Sequence, residues 1–305
     1  MNWDIYREIR LLVDGGESEK ALAAIDAARG AMVGDVGSHI ACLEATCHAR
    51  AGRPEIACQL LERFVAEGSS NFWVYWNLAI LYRNMGAQEK ASRTYQKAHG
   101  ILGWPESERN GYFFTHDYFA PNIPRWKSWF AENIRSAPIR LLEIGSWQGG
   151  SATWLLDNVV SRRGGLLTCV DTFAGSSEHA LWIHDIGDKL ENLFDHNIQA
   201  TGHAAQCRKM VGDSKKVLRS LGDERFDFIY IDGAHEAKFV IQDAVLAWPL
   251  VEPNGFLLFD DVKFHFPQSP EQDTATALDA FLSWFARDLE VIHRDSQLLV
   301  RKLKD

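Results

Sequence analysis

No two cysteines stand in a CxxC spacing, and the five present (Cys42, Cys47, Cys58, Cys169 and Cys207) are an odd number. That excludes a disulfide framework and a cysteine zinc site. Cys42, Cys47 and Cys58 fall inside helical patterns, where a thiol behaves as a small apolar side chain. Long apolar runs are missing too, and nothing approaches the about 20 residues of a membrane span. The N-terminal stretch MNWDIYREIRLLVDGG is charged and carries no apolar run of the signal-peptide kind, so the expectation is a soluble cytoplasmic protein. Basic charge is not in excess: 32 Lys and Arg against 41 Asp and Glu give a net −9, with no block of one sign. A nucleic-acid surface, which needs a basic face, is disfavoured. The GxGxxG fingerprint of dinucleotide binding is absent as well.

What the chain does have is enough length and apolar content for two cores: 305 residues, 46% hydrophobic. In residues 1–103 a pattern recurs. Gly52 and Gly86 lie 34 residues apart, each followed five residues later by alanine (Ala57, Ala91), and Gly16 with Ala21 repeats the scheme 36 residues before Gly52. The period and the small residues around a glycine turn resemble the tetratricopeptide repeat, two antiparallel helices per unit. Such an array offers a surface to a protein or peptide partner, or packs as an appendage that dimerises the chain or shields the rest of it. Residues 104–138 are aromatic and proline-containing, with Ile123–Ile134 (IPRWKSWFAENI) reading as a helix opened by proline. They read either as interdomain core or as a cap over the ligand.

From residue 139 onward the pattern changes. Five apolar stretches each run into an acid: Ile139–Gly145 with Glu143, Leu166–Asp171, Gln206–Asp213, Phe226–Asp232 and Gly255–Asp261. Each is followed by turn residues and a helix-length segment, which argues a parallel sheet covered by helices on both faces. Ligands of such sheets bind outside the carboxyl ends of the strands. The acids therefore line one crevice, suited to a cation or a positively charged ligand and hostile to several phosphates.

Glu143-Ile-Gly145-Ser146-Trp147-Gln-Gly149-Gly-Ser151 follows the first strand, its glycines letting backbone approach a ligand. Asp171 closes the second strand, placed to accept from ribose hydroxyls, with capping of a turn as its bland alternative. Together, LLEIGSWQGGSATWLLDNVV, CVDTF, GDS (212–214) and FDFIYIDGAHEAKFVIQDAVLAWPLVEPNGFLLFDD resemble the class I S-adenosylmethionine-dependent methyltransferases. They are similar in particular to the small-molecule and sugar O-methyltransferase branch. The lead-in FTHDYFAPNIPRWKSWF and the ending LEVIHRDSQLLVRK extend the likeness over residues 112–302. It implies an α/β fold, a Rossmann-like seven-stranded sheet with a reversed last strand, for residues 139–305.

The resemblance also implies roles. Glu143, Gly145, Ser146, Trp147, Gly149 and Ser151 would border the methionine part of S-adenosylmethionine, Asp171 and Thr172 the ribose, and Asp213 and Ser214 the adenine. Asp232 would face the methionine amino group or a divalent cation (Mg²⁺ or similar) shared with Asp260 and Asp261. A cation could ionise a substrate hydroxyl, with His235, three residues past Asp232, taking the proton. Because strand neighbours point to opposite faces, Asp260 and Asp261 share an ion only if the chain has already left the sheet. Capping without metal is the other reading of that pair, and Val262 stands where the branch usually has an aromatic. His184, His196 and His203 read as surface or core-edge residues, while His265, on the loop after Asp261, and His116, beside Asp117 in the lead-in, are placed where they could reach substrate. The implied activity is O-methylation of a small molecule or sugar. The alternatives are nitrogen or carboxyl methylation without metal, or a cofactor-holding scaffold whose repeats bind a partner.

Overall fold

The computed structural model describes residues 3–31, 35–175 and 187–304. Its contacts divide the chain into two compact units, Met1–Ala120 and Pro121–Asp305. Residues 104–120 thus fall in the first unit and 121–138 in the second.

The first unit holds α1 (Trp3–Asp14), α2 (Ser18–Ala28), α3 (Asp35–Arg50), α4 (Pro54–Ala66), α5 (Phe72–Asn84), α6 (Gln88–Ile101) and the single turn α7 (Glu106–Arg109). Helices α1 to α6 pack as three successive pairs. Each pair turns on a glycine in the left-handed region, Gly16, Gly52 and Gly86, with φ of 77°, 71° and 78°. One residue further on, the amides of Glu17, Arg53 and Ala87 donate to the carbonyls of Leu12, His48 and Tyr82, closing each first helix with the same Schellman bond. Ala21, Ala57 and Ala91 are fully buried, so paired helices approach closely at equivalent points. The 34-to-36-residue period in the sequence is a period of helix pairs in space. Beyond α6, buried His99 lies 2.7 Å from the Ser107 hydroxyl and 3.0 Å from the Asp117 carboxylate. These bonds satisfy polar groups that burial would otherwise penalise.

The second unit opens with α8 (Ile123–Glu132), which carries proline in its first turn, as the proline-opened pattern predicts. It continues through β1 (Ile139–Ile144), α9 (Gly150–Leu155), the short α10 (Ser161–Arg163), β2 (Gly165–Asp171), α11 (Gly187–Ala200), β3 (Cys207–Val211) and α12 (Ser214–Ser220). After them come β4 (Phe226–Ile231), α13 (Ala237–Ala247), β5 (Val251–Phe259), α14 (Thr274–Trp284), β6 (Leu289–Arg294) and β7 (Leu298–Lys302). The seven strands order as β3-β2-β1-β4-β5-β7-β6. The first five are parallel, and β7 pairs antiparallel with both β5 and β6. This is the α/β, Rossmann-like seven-stranded sheet with a reversed last strand that the sequence leads one to expect. Strand β5 begins at Val251, four residues earlier than the apolar run suggests. Asn254 (φ 65°) and a shifted register opposite Phe226 and Phe228 make that entry irregular.

One face of the sheet packs on α12, α13 and α14 through Leu142, Ile229, Leu257, Val240, Leu278 and Phe281, all buried. Strand order reverses between β1 and β4, and such a switch point opens a crevice at the carboxyl ends.

Candidate active site

Main-chain bonds carry the ladder past the strands and so fix the loops of the crevice. Gly145 N–H donates to Val170 O, Asp232 N–H to Ile144 O and Asp260 N–H to Ile231 O. The β1 and β4 loops nearly touch: a Cβ on Gly145 would lie 1.9 Å from the Asp232 carbonyl oxygen, and φ there is +86°. Only glycine fits. Gly149, also left-handed (φ 80°), starts α9 against the Phe194 ring.

Glu143 is fully buried beneath this loop. The Ser151 hydroxyl donates to its Oε1 at 2.5 Å and the Cys169 thiol to its Oε2 at 3.6 Å. Burial pushes its pKa up to about 7, against the lowering effect of those donors. Ser146 is buried, and Trp147 holds a left-handed φ of 49°. The folded chain thus binds more protons than the unfolded one between the ordinary glutamate value and about pH 7. Stability accordingly declines as pH rises through that window, by about 3 kcal/mol from this group alone. Urea midpoints at pH 5 and 8 check this: Glu143→Gln is expected to flatten the decline, and an equally steep variant would refute the assignment.

The Asp171 carboxylate accepts three backbone amides, Ser146 and Trp147 on Oδ2 (2.7 and 2.8 Å) and Phe173 on Oδ1 (2.7 Å). It therefore organises the β1 and β2 loops, whatever it also offers a ligand. Exposed Thr172 accepts from Ala174 N–H through its hydroxyl. Asp213 caps α12 by accepting from Lys215 N–H, and Ser214, the first residue of that helix, donates to Asp243.

Asp232, His235 and Asp261 converge. One donor atom from each lies within 4.8 Å of the others, a group fit to hold a metal ion. His235 Nε2 is 2.9 Å from Asp261 Oδ2 and 3.7 Å from Asp232 Oδ1. The imidazole packs tilted against Phe264 (centroids 4.7 Å, planes 35° apart) and the His235 backbone carbonyl accepts from the Thr274 hydroxyl, so the direction of the ring is set. Strand β5 ends at Phe259 and Asp261 is left-handed (φ 51°), so the chain has left the sheet before the acid pair. Asp260, expected beside Asp261 as a ligand, is nonetheless not one of the three converging residues, and its carboxylate is engaged elsewhere. Its Oδ2 accepts from the Tyr230 hydroxyl (2.5 Å), Gln297 Nε2 (2.9 Å) and Asn122 Nδ2 (3.3 Å), and its Oδ1 from Asp261 N–H (2.8 Å). Four donors leave it little capacity for an ion.

Tyr230 OH also lies 2.8 Å from Asp232 Oδ2. One hydroxyl proton cannot be given fully to both carboxylates. Desolvation and Asp260 push Asp232 up to about 8. Among the described residues no lysine or arginine pairs with these three acids; the only basic partner is His235.

Three of the other histidines named from the sequence have their own partners among the described residues. His265 pairs with Asp273 (2.7 Å), His203 with Gln206, and His196 is exposed. His116 contacts Thr115 in the first unit. His184 lies outside the described residues. Sequence reasoning overlooked Tyr230, Gln297, Asn122 and Asp243. Tyr230 was within reach, since it shares a strand face with Asp232 two positions on.

The fold places an acid-rimmed crevice at the switch point of the sheet. Residues 142–262 match the family model described as a methyltransferase domain. No curated protein matches the chain. Among solved structures it is similar to the O-methyltransferase NovP, at 18% identity over 77% of this chain and 100% of that one, with a TM-score of 0.49. It is also similar to the O-methyltransferase TomG from Streptomyces achromogenes, involved in tomaymycin synthesis and solved with SAM (18% identity, 60% and 81% covered, TM-score 0.44). A third is the MycE methyltransferase of mycinamycin biosynthesis, solved with Mg, SAH and mycinamycin VI (17% identity, 69% and 59% covered, TM-score 0.44). Among the described residues no helix is long and apolar enough to cross a membrane.

Proposed function

We propose that the second unit transfers the methyl group of S-adenosylmethionine to a hydroxyl of a small molecule or sugar, with a divalent cation held by Asp232, His235 and Asp261. The observation that carries this reading is the convergence of those three donors beside the acid-rimmed crevice. The crevice chemistry fits the cofactor. Glu143, Asp171, Asp213 and Asp232 surround a ligand whose sulfonium and ammonium are positive and which has no phosphate. The left-handed glycines at 145 and 149 supply the close backbone approach.

When bound, the cofactor presents an electrophilic methyl group, and the cation lowers the pKa of a coordinated hydroxyl. The chain's own contribution is placement. Asp171 holds the Ser146–Trp147 amides, and Asp213 with Ser214 fixes the start of α12. Tyr230, Gln297 and Asn122 keep Asp260 turned from the ion. His235 acts as ligand in this reading, because Nε2 is the nitrogen facing both carboxylates. The three helix pairs of the first unit are read as a tetratricopeptide-like array presenting a surface to a partner or a second copy.

Calorimetry with S-adenosylmethionine and S-adenosylhomocysteine tests the cofactor. Both should bind and raise the melting temperature. Asp171→Ala, which strands the amides of Ser146, Trp147 and Phe173, should weaken binding by about 1–3 kcal/mol. Folded wild-type protein giving no heat with either nucleotide would sink the reading.

A further inference from the structure

Helix α13 carries one acid on its buried face. Asp243 is 4% exposed and lies among Val240, Ala244 and Ala247, all buried. Its Oδ1 accepts from the Ser214 hydroxyl at 2.6 Å, and its Oδ2 sits 3.5 Å from where a Cβ on Gly233 would stand. Asp243 thus underlies two loops at once, the start of α12 after β3 and the Asp232–His235 loop after β4. No lysine or arginine among the described residues pairs with it. A buried carboxyl without a cation costs stability that an apolar residue in its place would not. Burial indeed pushes its pKa up to about 6.

We infer that Asp243 is a positioning residue for the cofactor: through Ser214 it holds the first turn of α12 at the distance from the β4 loop that the bound nucleoside requires. The neighbouring bonds show how little slack remains. Asp213 is committed to Lys215 N–H, and Gly212 N–H donates to Asp171 O at 2.9 Å. Ser214 is the one side chain of this loop tied to α13 by a hydrogen bond among the described residues. This inference rests on the function proposed above.

The test measures S-adenosylhomocysteine affinity by calorimetry and melting temperature on the full chain. Asp243→Ala and Ser214→Ala should each weaken binding about tenfold, one lost hydrogen bond's worth. The double variant should be no weaker than either alone, because the two side chains act as one unit. Asp243→Asn, whose amide oxygen still accepts from Ser214, should return affinity to within about threefold, with a melting temperature at or above wild type. In turnover the loss should appear in KM for the methyl donor while kcat holds. If Asp243→Ala does not fold, Ser214→Ala and Asp243→Asn decide the matter. Variants that bind like wild type, or single effects that add in the double variant, overturn this role alone. Wild-type protein binding no nucleotide overturns both this role and the proposed function.

Discussion

EDTA should abolish methyl transfer while leaving S-adenosylhomocysteine binding nearly unchanged, and Mn²⁺ or Mg²⁺ should restore it. The expectation follows from where the donors are. Asp232, His235 and Asp261 lie within 4.8 Å of one another, whereas the loop amides gathered by Asp171 need no ion. His235→Ala should lower turnover by about 10²–10⁴, the range over which a positioned catalytic imidazole acts. The manner of rescue tells its role. A lost ligand weakens ion affinity, so raising Mn²⁺ into the millimolar range recovers rate by mass action; a lost general base is not recovered. Asp261→Asn should resemble His235→Ala. Asp260→Asn should instead disturb folding around Tyr230 and Gln297, because four donors converge there. Full activity in EDTA, with His235→Ala near wild type, would remove the cation from the mechanism and favour a nitrogen or carboxylate acceptor.

Gly145→Ala should be the most damaging single change to the second unit. A left-handed residue other than glycine costs about 1–2 kcal/mol. Here the added carbon would also sit 1.9 Å from the Asp232 carbonyl oxygen, which is pinned because Asp232 N–H donates to Ile144 O. Backbone must move, and the total should reach about 4–5 kcal/mol, the range of the severest core substitutions. In a unit of this size that lowers the melting temperature by about 10–20 °C. Gly52→Ala is the control, with φ of +71° and nothing within 4 Å, so only the left-handed penalty applies. A Gly145→Ala melt within 3 °C of wild type would show the β4 loop to be slack.

The sheet was legible because buried parallel strands are short apolar runs with punctuated ends. The helix-pair period was legible for a related reason: a glycine turn and a small residue five positions on recur wherever two helices must meet. What the sequence left out is direction. Asp260 and Asp261 are adjacent letters, and only the left-handed φ at 261 decides that one faces His235 and the other Tyr230. Gln297 lies in the turn between β6 and β7, distant in sequence from Asp260, and no local pattern announces a bond across the sheet. Asp171 shows a subtler limit: its place at the end of a strand could be read from the sequence, yet its three amide partners come from loops whose shape the sequence does not print. Asp243 was written into the apolar stripe of α13 as an interruption, which is the kind of local conflict that marks a working residue.

Because desolvation and Asp260 push Asp232 up to about 8, the cation proposed above would compete with a proton for that carboxylate. On that proposal, binding of a divalent cation would release the proton. Apparent metal affinity should climb with alkalinity up to about pH 8, where Asp232 loses its proton unaided, and level off above it. Acidification would then switch the site off by filling it with hydrogen ions, while the scaffold around it stays intact.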